Sequence, residues 1–452
     1  MASPYRSSLA HSMNFQTRVS PPRDADLNSS RYTQRTVTKP STVPEHHLEI
    51  NDPAFIADPY STLERLRETT PIYWDATWNK LFFTRYEDIA ALLRDKRLGR
   101  SIFHVLSRDE LGFPPPDARV AAFDHFQRNH ILDMEPPNHT RIRGLVQKAF
   151  TISRVEGLRA RIEGIVQDLL EAAQHRGGTF DAVADFAEPL PVLVIAELLG
   201  VPAADRHLLR PWSSAIVKLY ELGYSDAQAV AANNATLEFS AYIKHLADQR
   251  RADPRDDLIS ALVAVEESGE RLSNDELVAN CILFLNAGHE ATVNGITGAL
   301  LTMQRHPQVK AQLAQAAEGL PNNSSIFKTA TEEFLRFDTP LPMFERWVLE
   351  DFEFRGVPLK KGMEVALIYA SGNRDASKFT APDTFDATRD PNPHLSFGFG
   401  THYCIGAPLA RLEMSVALHG FLKRYPNFEV VDQPLEYTGW VIRGLKRLEV
   451  RV

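Results

Sequence analysis

Cysteine is nearly missing: 452 residues contain two, Cys281 and Cys404. Two thiols exclude a disulfide framework, a zinc ribbon and a cysteine-held iron–sulfur cluster. They suit a reducing compartment, and the cytoplasm is expected. Apolar runs are short, none reaching the about 18 residues of a membrane span, so no membrane anchor is expected. Positive charge is not in excess; the formal net charge of −8 argues against a general nucleic-acid binder. The N-terminus has no apolar core of a secretory signal. Residues 1–23 carry Arg6, Arg18 and Arg23 without an acid, a faint likeness to a transit peptide, but a polar tail is the simpler reading.

What is there is ordinary globular composition, 44% hydrophobic and 24% charged. Residues 1–45, rich in Ser, Thr, Pro and Arg, read as a disordered tail, and residues 46–452 as a single domain. Short strands are predicted at "PIYW" and "KLFFTR", and a helix at "YEDIAALLRD". From about 139 to 320 the helical period dominates. The stretch Arg154–His175 predicts one long amphipathic helix closed by Gly177 and Gly178. The longest helix opens on Ser273 and Glu276, a capping-box spacing, and stops before Pro307. Its centre is apolar nearly all round, so the polar break "GHEAT" inside it needs an explanation. Strands and turns follow, then "HLSFGFGTHYCIGAPLAR" and a last helix. The pattern is mainly α with smaller β-sheets, an α+β class.

Cys281 lies in an apolar helical run and reads as core. Cys404 stands just before a helix whose first turn holds Pro408, among Gly398, Gly400 and Gly406. Free N–H groups at a helix start stabilise a thiolate. Glycines let the backbone close on the sulfur and adopt positive φ. That setting suits a permanent ligand better than a transient nucleophile, and haem iron is the obvious metal.

The run Phe397-Gly398-x-Gly400-x-His402-x-Cys404-x-Gly406 resembles the haem signature of the cytochrome P-450 family, and the likeness extends over about residues 50–452. It implies a helix-rich lobe and a small β-rich lobe around a buried haem b. By that resemblance Cys404 is the axial iron ligand, and Phe397 packs near the sulfur. Glu333 and Arg336 match the family's E-x-x-R, which builds a buried ion network with the loop before the signature, Arg389 being its third member. His139, Arg143, Arg346 and His402 match the partners of the haem propionates, whose buried charge demands them. Leu285, Ala287, Met343, Phe344 and Val441 match pocket positions, and residues 101–131 a mobile lid.

"AGHEATVN" matches the oxygen-activation segment, with Gly288 able to let the helix widen and Glu290 as the acid of an acid–alcohol pair. The alcohol is absent: Ala291 follows the acid and Thr292 comes next. One residue turns a side chain by about 100° round a helix, so Thr292 is no simple substitute. A substrate hydroxyl with ordered water can complete the relay. The enzyme can instead leak peroxide, or use peroxide or run a non-hydroxylating reaction. The resemblance implies a monooxygenase that inserts one atom of O2 into a hydrophobic small molecule by hydroxylation or epoxidation. Electrons would come from a separate ferredoxin or flavodoxin and its reductase. Arg141, Lys148, Arg411, Lys423 and Arg424 are candidates for a basic docking patch. A haem sensor and a haem-thiolate isomerase are the rival classes.

Overall fold

The computed structural model describes residues 39–220, 224–266 and 269–452. Helices form the larger part, around one extended apolar core. The longest helix, Asn274–Arg305, starts on the expected capping box, the Ser273 side chain accepting from Glu276 N–H and the Glu276 side chain from Ser273 N–H. It runs as one α-helix through Gly288. At Gly295 it presses against Met414 of the helix Ala407–Arg424; a Cβ there would lie 2.9 Å from the Met414 sulfur. That second helix, which begins just after Cys404, also packs on Arg159–Gln174, where Gly420 admits Val166. Two helices crossing at small residues fix the height of Cys404 relative to the long helix.

The predicted helix Arg154–His175 is two helices, Ile152–Gly157 and Arg159–Gln174, which meet at Leu158. Apolar periodicity persists across such a break, so spacing alone does not show it. The helix Asp226–Ala252 was not singled out in the sequence. It buries Ala229, Ala232 and Ala235, small residues that give a weak apolar stripe.

The small sheet orders its strands Ile72–Asp75, Lys80–Phe83, Glu364–Leu367, Phe344–Val348 and Leu98–Gly99. Pairing of Arg346 with Val365 and of Phe344 with Leu367 sets which residues of that strand share a face. Thr179–Asp181 pairs with the C-terminal strand Glu449–Arg451, closing the helical region on the end of the chain. Of the expected tail, residues 1–38 lie outside the described residues. Residues 39–45 depart from the expectation: Val43 is buried, and Trp74 N–H donates to Pro44 O at 2.9 Å. Among the described residues no helix is long and apolar enough to cross a membrane.

Candidate active site

The loop before Ala407–Arg424 is bent by two glycines in the left-handed region, Gly398 at φ 66° and Gly400 at φ 72°. A Cβ on Gly400 would meet the Leu93 carbonyl oxygen at 2.4 Å, so both conformation and contact require glycine. Gly406 differs from the expectation, with φ −80°, because it is the first cap of the helix. Its contribution is its N–H, which with that of Ala407 favours the anionic form of the Cys404 sulfur. Cys404 N–H in turn donates to Phe397 O at 3.0 Å, closing the loop on itself. Burial pushes the Cys404 thiol up; the two N–H groups, Arg143 and Arg411 pull the other way without prevailing. The helix start thus favours the thiolate, as read from the sequence, without outweighing burial by itself; a cation at the sulfur would.

Around that loop the structure gathers the four basic residues the sequence singled out. His139 and His402 face each other with ring centroids 4.4 Å apart. His139 is buried with both ring nitrogens unpartnered, and burial, His402 and Arg143 lower its pKa to about 4. His402 Nε2 lies 3.3 Å from Glu135 Oε1. Arg143 donates to the Tyr403 carbonyl at 2.7 Å, next to the cysteine. Arg346 is buried and donates to the Glu345 carbonyl at 2.8 Å. Burial lowers the pKa of its guanidinium. One buried guanidinium, a half-buried one and an imidazole with both nitrogens orphaned are served here by a single carboxylate, Glu135, and a further anion would complete them. A haem fits: one sulfur with two amide donors for the iron, and four basic side chains for two carboxylates. Arg100 belongs to the same cluster and was missed in the sequence. Its Nε is buried without a partner, and its guanidinium lies 4.6 Å from the Phe344 ring. No local motif marks it.

The long helix supplies the opposite wall. Residues 281–286 are buried, yet Ala287 is exposed and Ala291, one turn on, is half-buried. In a helix inside the molecule, that face opens onto internal space. Glu290 is partly exposed and Thr292 is buried, so the two polar residues do not share one exposure. Of the other expected pocket residues, Phe344 and Val441 are half-buried. Leu285 and Met343 are instead sealed in the core at 0% and 4% exposure. Leu285 lies two positions before Ala287, about 200° round the helix, which turns it away from the opening. The segment 101–131 carries its own small apolar cluster of Ile102, Leu106 and Leu111.

Behind the loop, Glu333 receives two bonds from Arg336 at 2.7 and 2.8 Å. Arg389 joins it at 3.1 Å, with Asn392 and the backbone N–H of Asp386. Arg336 also donates to the carbonyls of Asn373 and Pro382. The three residues expected together are together, tied to the loop before the signature. A neighbouring clamp was not foreseen. Glu332 binds Arg411 through both oxygens at 2.6 and 2.8 Å and meets His394 at 3.0 Å. Burial works against the Glu332 carboxylate, but His394 and Arg411 outweigh it and hold its pKa at about 2. Arg411 is therefore occupied, as is Arg141 by Glu276, and neither is a free charge of the expected basic patch.

Comparison with known proteins agrees with this geometry. Residues 222–442 match the family model of cytochrome P-450. The polyketide biosynthesis cytochrome P-450 PksS of Bacillus subtilis is 37% identical over 407 residues, covering 88% of this chain and 96% of that protein. Its solved structure superposes with TM-score 0.79 at 35% identity, over 89% of this chain and 99% of that one. The structure of P450BioI with an acyl carrier protein bearing hexadec-9Z-enoic acid gives TM-score 0.78 at 34% identity, over 88% and 99%. Signature loop, buried ion network, fold and relatives lead to one conclusion: the chain belongs to the cytochrome P-450 family of haem-thiolate monooxygenases.

Proposed function

We propose that this enzyme holds haem b through Cys404 and inserts one oxygen atom of O2 into a hydrophobic small molecule. The balance is substrate, O2, two electrons and two protons in, oxygenated product and water out. The observation that carries the reading is the Cys404 sulfur at a helix start whose N–H groups favour its anion, beside Arg143, the buried Arg346 and a His139 ring with neither nitrogen partnered. His139, Arg143, Arg346 and His402 bind the propionates, with Arg100 close by. Bound haem supplies dioxygen activation, which a thiolate ligand favours. Ala287, Ala291, Phe344 and Val441 line the substrate space, and apolar walls there exclude water. Glu290 handles protons, and in the absence of a hydroxyl at 291 ordered water and a substrate hydroxyl complete its relay.

Electrons arrive from a cytoplasmic ferredoxin or flavodoxin with its reductase. A groove of about 640 Å³, lined by His139, Arg141, Arg143, Gln147 and Thr401 among others, lies beside the Cys404 loop and offers the short path. The fatty-acyl carrier complex of P450BioI makes hexadec-9Z-enoic acid, free or carrier-bound, a fitting first probe.

The test is direct. Reduced protein under carbon monoxide gives the red-shifted band of thiolate ligation, and C404S abolishes it. With a surrogate ferredoxin, reductase, reduced nicotinamide and isotopically labelled O2, product carries one labelled atom. A colourless protein, or a pigment unchanged in C404S, sinks the haem-thiolate reading. Product formed only with added peroxide sinks the O2 reading in favour of the peroxide alternative.

A further inference from the structure

Two neighbouring acids on the helix Ser325–Phe337 grip opposite ends of the Cys404 segment. Glu333 takes the chain before the cysteine, through Arg389, Asn392 and the Asp386 N–H. Glu332 takes the helix after it, through both oxygens on Arg411. Arg411 uses every part of its guanidinium. Its Nε and one terminal nitrogen go to Glu332, and the other terminal nitrogen donates to the Tyr403 hydroxyl at 3.2 Å. The guanidinium carbon lies 4.4 Å from the centroid of the Phe397 ring. Phe397 and Tyr403 flank the loop that Cys404 N–H closes by donating to Phe397 O at 3.0 Å, and their rings meet edge to face at 6.5 Å. His394 adds a further tie. Its Nδ1 accepts from Ser396 N–H at 3.2 Å, which leaves Nε2 to donate to Glu332 at 3.0 Å, and its ring centroid is 5.7 Å from that of Phe397. A Cβ on Gly406 would lie 3.9 Å from the Cys404 sulfur, which puts the start of the following helix at the ligand. A surface ion pair needs only charge, and a lysine would serve it. A two-pronged bond to a carboxylate, a donor to a hydroxyl and a plane laid on an aromatic ring together require arginine.

We propose that Arg411, oriented by Glu332, is a positioning residue for the iron ligand: by holding Phe397 and Tyr403 together it keeps the Cys404 sulfur at the helix start and so sets the reduction potential of bound haem. The inference rests on the haem-thiolate reading of Cys404. Arg411 acts through the loop and is not a catalytic residue. Amide donors near a thiolate draw electron density from it; the sulfur then donates less to iron, and the reduced state is favoured. If the loop loosens, the donors move off and the oxidised state gains. Charge alone gives a different pattern. Loss of a cation near the haem favours oxidised iron, whereas loss of an anion favours reduced iron. At Glu332 the two accounts therefore predict opposite signs: removing the acid frees Arg411 and lowers the potential if position matters, and raises it if only charge does.

The ferric–ferrous potential of the substrate-free holoenzyme, measured by spectroelectrochemistry, tests this. In E332A the ratio of reduced to oxidised protein at a fixed potential should fall about tenfold, a downward shift of about 59 mV for one electron. R411K, which keeps the cation but has neither fork nor plane, should fall by a similar factor and keep the carbon monoxide band of thiolate ligation. A rise in E332A, or a potential in R411K equal to that of the parent, overturns the inference. If E332A takes up no haem, E332D is measured instead, since it keeps the charge but shortens the reach to Arg411. A lowered potential in E332D supports positioning, and one equal to the parent's overturns it. A parent whose reduced carbon monoxide complex lacks the red-shifted band overturns the haem-thiolate reading instead, which separates the two failures.

Discussion

Three glutamates, two buried and one half-buried, show how partners, more than depth, decide the state of a carboxyl. Glu333 is fully buried but receives Arg336, Arg389, Asn392 and a backbone N–H. Glu332 is drawn down to about 2 by His394 and Arg411 against the effect of burial. Glu413, on the helix after Cys404, is 2% exposed, its Oε2 has no partner, and burial pushes it up to about 8. The unfolded chain releases that proton near pH 4.3. Between these values the folded protein binds a proton that the unfolded chain does not, so this residue makes stability fall as pH rises from about 5 to 8. The isosteric E413Q removes the effect. Its stability relative to the parent should grow over that range, by on the order of 3 kcal/mol at pH 7. Urea midpoints of both proteins at pH 5 and pH 7.5 measure this. Parallel pH profiles would mean that Glu413 is ionised or solvated in the folded protein.

At the scale of the element, the Cys404 loop separates two glycines that look equivalent in sequence. Both have positive φ, but a Cβ on Gly398 would come no closer than 3.6 Å to the Tyr369 hydroxyl, whereas on Gly400 it would overlap the Leu93 carbonyl. G398A therefore carries only the backbone cost of about 1 kcal/mol. G400A adds a clash with rigid backbone and must move the loop. Haem content after purification should be near that of the parent for G398A and strongly reduced for G400A; equal retention would refute the contact argument. This loop was largely readable in the sequence because its determinants lie within ten residues of Cys404. So was the start of the long helix, where Ser273 and Glu276 cap each other. The break at Leu158 and the burial of Leu285 were not readable, since both depend on what packs against the helix. Arg411 shows the same limit. It looks like a free surface cation until the fold brings Glu332 to it from 79 positions away.

For the whole molecule, the least readable feature is a buried hub that joins segments nearly 400 positions apart. Arg443, in the C-terminal turn where the sequence drew attention only to Val441, is 5% exposed. It donates to the carbonyls of Ile56 and Ala57 at 2.6 and 3.0 Å and to Asp338 at 2.5 Å. Tyr60 completes the hub by donating to the same Asp338 oxygen at 3.0 Å. Asp338 itself caps the end of the helix that carries Glu333 and Arg336. One guanidinium thus latches the first described helices to that helix and to the end of the chain. Removing Arg443 leaves the partly buried Asp338 with Tyr60 as its donor and takes the guanidinium from two carbonyls, at a cost of about 3 kcal/mol. R443M, which keeps the volume and loses the charge, should lower the urea midpoint accordingly. Because the lost bonds reach residues 56–60, limited proteolysis should cut R443M first near that segment while the parent resists. D338N tests the converse: it keeps an acceptor for Arg443 and Tyr60 and should lose less than R443M. Were R443M as stable and as protease-resistant as the parent, the N-terminal helices would be held by their apolar contacts alone, and the hub would be a consequence of the fold with no part in sustaining it.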